Sequence, residues 1–152
     1  SDDKAELARA HGCQHVIVYT RENFVERVRE LTDGQGVAVA YDSVGQATFM
    51  GSLDCLRPLG MMVSFGNASG PVSSFDPGLL AAKGSLFLTR PTLMTYTAQR
   101  ADLLASAAEL FQVVSSGAVK IEVHQTYPLA EAAQAHRDLE ARKTTGSTVL
   151  LP

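Results

Sequence analysis

The residues able to do chemistry gather at the ends of three short apolar runs. HVIVY (15–19) ends in Tyr19, VAVAY (37–41) runs into Asp42-Ser43-Val44-Gly45, and MMVSF (61–65) runs into Gly66-Asn67-Ala68-Ser69-Gly70. In a parallel sheet such ends lie at one edge, where open α/β sheets bind ligands. Small residues and glycines there let a ligand approach the backbone, while Tyr19 and Phe65 offer flat faces to rings. Each residue also has a plainer use. Asp42 and Ser43 can cap the helix that begins near Gln46, and Tyr19 can be an amphipathic strand-end residue. Lys4 sits in the first turn of a helix, where a cation opposes the dipole, and this points to a second use such as clamping phosphate.

Other chemistries find no footing. The histidines at 11, 15, 124 and 136 have no metal-ligand spacing, and neither Cys13 nor Cys55 belongs to a CxxC pair. No Ser-His-Asp order, carboxylate pair or GxSxG elbow can be assembled, so no catalytic residue and no metal ligand is assigned. No GxGxxG turn or P-loop occurs either, although the strand ends read as a dinucleotide crevice.

The positioning elements follow from periodicity. A helix runs from the first residues to Gly12, then the strand 15–19, then a helix on Phe24, Val25, Val28 and Leu31 that stops at Thr32-Asp33-Gly34. The strand 37–41 is read as buried, and the helix on Phe49, Met50, Leu53 and Leu56 as ended by Pro58 and Gly60. The glycine-bounded strand 61–65 reads as buried on both faces. A short helical piece spans 77–84, a strand spans 85–89, and Ala101–Ser116 is the clearest helix. Its apolar face is Leu103, Leu104, Ala107, Ala108, Phe111 and Val114. A strand at 120–127, a helix at 130–142 and a strand at 147–151 complete the chain. Alternating strands and helices with short connections define an α/β class with a parallel sheet.

With 152 residues, 45% of them hydrophobic and 19% charged, the chain has the length and composition of one globular domain. The net charge of −3 without a Lys/Arg cluster argues against nucleic acid as a partner. No apolar run is long enough to span a bilayer and the first residues are charged, so the expectation is a soluble, cytoplasmic protein with reduced core thiols at Cys13 and Cys55, a disulfide between the two being the alternative.

Several motifs carry a family resemblance. YDSVG (41–45), SLDCLRPLGMMVSFGNASGPV (52–72), KGSLFLTRPTL (83–93) and the terminal EARKTTGSTVLLP resemble the zinc-independent, zeta-crystallin-like NADPH:quinone oxidoreductases of the medium-chain dehydrogenase/reductase superfamily. The similarity runs over essentially all of this chain but covers only the latter half of such a protein. It therefore implies a C-terminal fragment: a partial doubly wound, Rossmann-like parallel sheet lacking its first strands and glycine-rich loop. Residues 1–119 would be the incomplete dinucleotide-binding domain, and 120–152 a strand-helix-strand that returns to the catalytic domain.

The resemblance implies NADPH as cofactor and places residues around it. Lys4 and Tyr19 match positions at the adenosine 2′-phosphate, with Asp2 and Asp3 unfavourable beside it. Ser43, Val44 and Gly45 match the loop passing the adenosine ribose. Phe65, Gly66 and Asn67 match the nicotinamide side, and Arg142 matches an arginine that closes over the cofactor. A homodimer through the edge strand 85–89 is also implied, in keeping with the tendency of an open apolar edge to seek a partner.

The missing strands leave a gap about two strands wide between 15–19 and 37–41, roughly 10 to 15 Å at the usual strand spacing. Strand 15–19 is expected to move beside 37–41, or another chain to fill the gap, because unpaired edges are costly. The strands at 120–127 and 147–151 are expected to pair with each other or stray. This chain alone is expected to show no turnover and weak NADPH binding. Two other functions stay open: a related enone or alcohol reductase, and a non-catalytic α/β binding module.

Overall fold

The computed structural model describes residues 1–152, which divide into two compact units, Ser1–Tyr96 and Thr97–Pro152. The first holds α1 (Asp2–Ala10), α2 (Phe24–Leu31), β1 (Val37–Asp42), α3 (Phe49–Asp54), β2 (Leu56–Ser64), α4 (Gly78–Ala82), β3 (Phe87–Thr89) and α5 (Leu93–Tyr96). The second holds α6 (Arg100–Ser115), β4 (Val123–Pro128), a 3-10 turn (Leu129–Glu131), α7 (Ala132–Glu140) and β5 (Ser147–Leu151).

In the first unit the sheet is parallel throughout, in the order β1-β2-β3. Its core is Phe49 and Leu53 of α3, Leu56 and Met62 of β2, and Leu86 just before β3. Val37, Ala40, Val72, Phe75, Leu80 and Leu88 pack around them, and the Phe49 and Phe75 rings meet edge to face at 5.4 Å. Alternation explains this choice: Met62 faces α3 and is 0% exposed, whereas Met61 on the opposite face is half exposed. The expectation of a strand buried on both faces is therefore corrected, because helices cover one face of β2 only. β1 departs in the same way, with Val39 exposed and Tyr41 75% exposed.

Two boundaries also differ. β2 begins at Leu56, before Pro58, and not at Met61. Its pairing jumps from Val37↔Leu56 to Val39↔Met61, so Arg57–Gly60 bulge out with Leu59 at φ 59°. A bulge is one of the few places where a strand accepts proline. The strand expected over 85–89 starts at Phe87, because Ser85 takes φ 58° and Leu86 turns into the core.

The larger correction concerns residues 15–19. They form no strand, and β1 pairs only with β2, so the segment does not move beside 37–41 as expected. Val18 bonds locally instead: its N–H donates to the Glu22 carboxylate at 3.0 Å, and its carbonyl accepts from the Arg21 N–H at 2.8 Å. Cys13 before it is exposed, not a core thiol, while Cys55 is buried; both are free.

In the second unit β4 and β5 pair with each other in parallel, joined through α7. Tyr127 of β4 donates to Asp138 of α7 at 3.1 Å, fastening helix to sheet. α6 has the predicted span, but its apolar face is not a core: Leu103, Leu104 and Phe111 are exposed, Phe111 at 67%. Helical spacing identifies an apolar face without supplying the surface that covers it.

Candidate cofactor site

The geometry at the carboxyl end of β1 is organised by Asp42. Its side chain is 4% exposed and accepts hydrogen bonds at every lone-pair position. Oδ1 takes the Val44 and Gly45 N–H groups at 2.8 and 2.9 Å, and Oδ2 takes the Thr48 and Ser52 hydroxyls at 2.7 and 2.8 Å. Burial alone would raise the Asp42 pKa, but the donors from Gly45, Thr48, Ser52 and Val44 together outweigh it and hold the carboxyl below its ordinary value. Strand β1, the following loop and α3 are thus fastened at one point. The plain cap reading of Asp42 is part of what is seen; the two hydroxyls go beyond it.

The loop after β2 locks onto the same place. The Phe65 N–H donates to the Asp42 carbonyl at 2.8 Å, Ala68 N–H to Ser43 O at 3.2 Å, and Ser69 N–H to Val44 O at 2.7 Å. The Ser69 hydroxyl also donates to the Val44 carbonyl at 2.7 Å and accepts from the Ala47 N–H at 3.0 Å. Glycines permit this closeness. A Cβ on Gly66 would lie 2.3 Å from Ser43 O, and one on Gly45, which has φ 86°, would lie 2.6 Å from Gly70 O. The close approach at these glycines is between the two loops.

Arg90, just beyond β3, closes the arrangement. Its Nη1 donates to the Ser64 carbonyl at 2.7 Å. With the Asn67 amide turned so that its nitrogen donates to Gly66 O at 2.8 Å, its oxygen accepts from Arg90 Nη2 at 3.3 Å. One guanidinium therefore joins the carboxyl ends of β2 and β3. Sequence reasoning missed Arg90 and Ser69; the available signal was a cation directly after the strand motif SLFLT.

Beside the locked loop lies a cleft of about 330 Å³ lined by Tyr19, Tyr41, Asp42, Ser43, Val44 and Thr48, among others. Three of the expected site residues, Tyr19, Ser43 and Val44, thus share one wall system. Gly45, Gly66 and Asn67 belong to the interlocked loops, and Phe65 is exposed at the end of β2. Lys4 lies on α1, whose first turn is tied to the loop after Tyr19 by a two-pronged ion pair between Arg21 and Asp2, at 2.7 and 2.9 Å. That pairing lowers the Asp2 pKa and sets a guanidinium against the carboxylate regarded as unfavourable for a phosphate. Arg142 belongs to the second unit, at the turn ending α7 with φ 58°.

Comparisons with known proteins agree with this architecture. The family model for zinc-binding dehydrogenases matches residues 11–150. A quinone oxidoreductase of Pseudomonas aeruginosa is 55% identical over 152 residues, which is 100% of this chain and 47% of that protein. A 2-haloacrylate reductase of a Burkholderia species is 46% identical, over 100% of this chain and 46% of its own length. The crystal structure of Escherichia coli quinone oxidoreductase complexed with NADPH superposes with a TM-score of 0.96 at 47% identity, covering 100% of this chain and 47% of that one.

The chain spans about half the length of the relatives it matches. No three His, Cys, Asp or Glu side chains of this chain converge in the way a metal ion would need. The parallel α/β sheet, the interlocked loops at its carboxyl edge and the match across 11–150 lead to one conclusion: the chain belongs to the zinc-binding dehydrogenase family.

Proposed function

We propose that this chain is the cofactor-binding part of an NADPH-dependent quinone oxidoreductase. The observation that carries the reading is the convergence of Tyr19, Ser43 and Val44 on one cleft at the carboxyl edge of the sheet. Bound NADPH supplies the reducing equivalents as hydride, and the protein supplies position and electrostatics. Ser43, Val44 and Gly45 present a fixed backbone to the adenosine ribose, and Tyr19 offers an aromatic face and a hydroxyl. Lys4 provides the cation for the 2′-phosphate, and Arg21 offsets the opposing charge of Asp2, one of the two acids beside it. Phe65, Gly66 and Asn67 take the nicotinamide side, with Arg90 holding their loop. No residue of this chain is given an acid, base or nucleophile role.

Residues 1–119 act as the cofactor domain in this reading and 120–152 as the segment returning to a catalytic domain. β3 is the sheet edge, and its Phe87 is 56% exposed, which suits pairing with a second copy in a homodimer. The cytoplasm is the compartment where NADPH is held reduced and free thiols such as Cys13 persist. The similarity to a 2-haloacrylate reductase favours a second reading, reduction of an activated carbon–carbon double bond with the same cofactor.

The test uses the protein expressed from its complete gene, with NADPH or NADH and a panel of quinones and haloacrylates. NADPH consumption driven by quinones, with NADPH preferred over NADH, is expected. Turnover with haloacrylates alone would favour the second reading, and no NADPH-dependent turnover with any acceptor would sink both.

A further inference from the structure

The cofactor assignment leaves one buried ionised group unexplained. Asp42 lines the cleft wall, yet its four lone-pair positions are filled by protein donors, so it has none left to offer a ligand. An ordinary helix cap needs only the backbone amides two and three residues ahead. Asp42 also gathers hydroxyls from six and ten residues ahead, at the price of burying a charge. The sheet does not need this to hold the loop from its other side: Gly70 O accepts the Gln46 N–H at 3.0 Å, and Ser69 holds the Val44 carbonyl. Asp42 therefore fixes what the second loop leaves free, namely the direction of the Val44 and Gly45 amides beside the cleft.

We propose that Asp42 is a positioning residue that sets the Ser43–Gly45 backbone in the shape the cofactor requires, and so governs NADPH affinity without touching NADPH. The inference rests on the cofactor reading above. Its charge makes each bond to the loop stronger than a neutral acceptor would, and the hydroxyls of Thr48 and Ser52 hold Oδ2 while Oδ1 takes both amides. Affinity is thereby gained by pre-ordering the loop.

Asp42→Ala and Asp42→Asn, made in the protein expressed from its complete gene, test this. Asn keeps an oxygen for the two amides, and the Thr48 and Ser52 hydroxyls can turn to accept from its nitrogen. Asp42→Ala is expected to raise the KM for NADPH about tenfold while kcat and the quinone KM change less than about twofold; Asp42→Asn should recover most of the loss. Hydrogen exchange at the Val44 and Gly45 amides should quicken about tenfold in Asp42→Ala, with the amides of Val39 and Tyr41 unchanged.

A lowered melting temperature with the NADPH KM within about twofold of wild type would reduce Asp42 to a structural group and overturn the proposal. So would exchange that quickens equally along β1. If the wild-type protein does not use NADPH, the functional reading fails and takes this inference with it. If the wild type does and Asp42→Ala binds it equally well, only the inference fails.

Discussion

Replacing Gly66 with alanine should separate the two loops that build the carboxyl edge of the sheet. The new Cβ would stand 2.3 Å from Ser43 O, 2.7 Å from Ser43 Cα and 2.8 Å from Ser43 C, all of them backbone. Ordinary contact begins at 3.4 Å, so one loop must retreat by about 1 Å. The Ala68 N–H to Ser43 O bond, already at 3.2 Å, would then exceed hydrogen-bonding range, and the Phe65 N–H to Asp42 O bond would lengthen. Overpacking together with one or two weakened bonds amounts to about 2 to 4 kcal/mol of lost stability. Gly34→Ala is the matched control: at φ 78° with nothing within 4 Å, it carries backbone strain alone, about 1 to 2 kcal/mol. Urea denaturation of both variants gives the comparison, with the NADPH KM read in parallel. Gly66→Ala should be the less stable and should alone weaken NADPH. Equal stabilities, or a wild-type KM in Gly66→Ala, would show that the loops are not held together in this way.

Other expectations bear on the fold and its charges. Leu53→Ala, at a core position 1% exposed, should cost about 2 to 5 kcal/mol by denaturant titration. Asn23 caps α2 by accepting from the Val25 and Glu26 amides at 3.0 and 3.4 Å, so Asn23→Ala should cost about 1 kcal/mol. Arg29 donates to the carbonyls of Asp54, Leu56 and Gly34, and its truncation should destabilise by about 1 to 3 kcal/mol as those acceptors lose their partner. The Asp42 pKa lies below its unfolded value, so its stabilisation is complete above about pH 4 and is lost as pH falls through the folded value. Acid titration of stability should accordingly lose part of its slope below pH 4 in Asp42→Asn.

Much of this was legible in the residues because local rules and the fold agree. The run VAVAY between two helical patterns forms a strand, and Gly117 follows α6 with φ 75° as its type suggests. Two of the larger errors share one physical cause. HVIVY has strand propensity and Leu103, Leu104 and Phe111 form an apolar face, but propensity does not provide the neighbouring strand or covering surface. At the site, the strand ends were readable from their glycines and aromatic residues. The reason for those glycines was not: Gly45 and Gly66 are required by backbone meeting backbone, a long-range contact that local sequence does not encode. Arg90 escaped for the same reason, since its partners Ser64 and Asn67 lie more than twenty residues away.

The most direct measurement is a map of backbone amide chemical shifts in the protein, expressed from its complete gene, with and without saturating NADPH. The largest changes are expected at Tyr19, Ser43, Val44 and Gly45, around the cleft beside Asp42. Smaller ones are expected at Phe65, Gly66 and Asn67. Changes confined to the amino-terminal ends of β1 and β2, or an unchanged spectrum, would contradict placement of the cofactor at the carboxyl edge of this sheet.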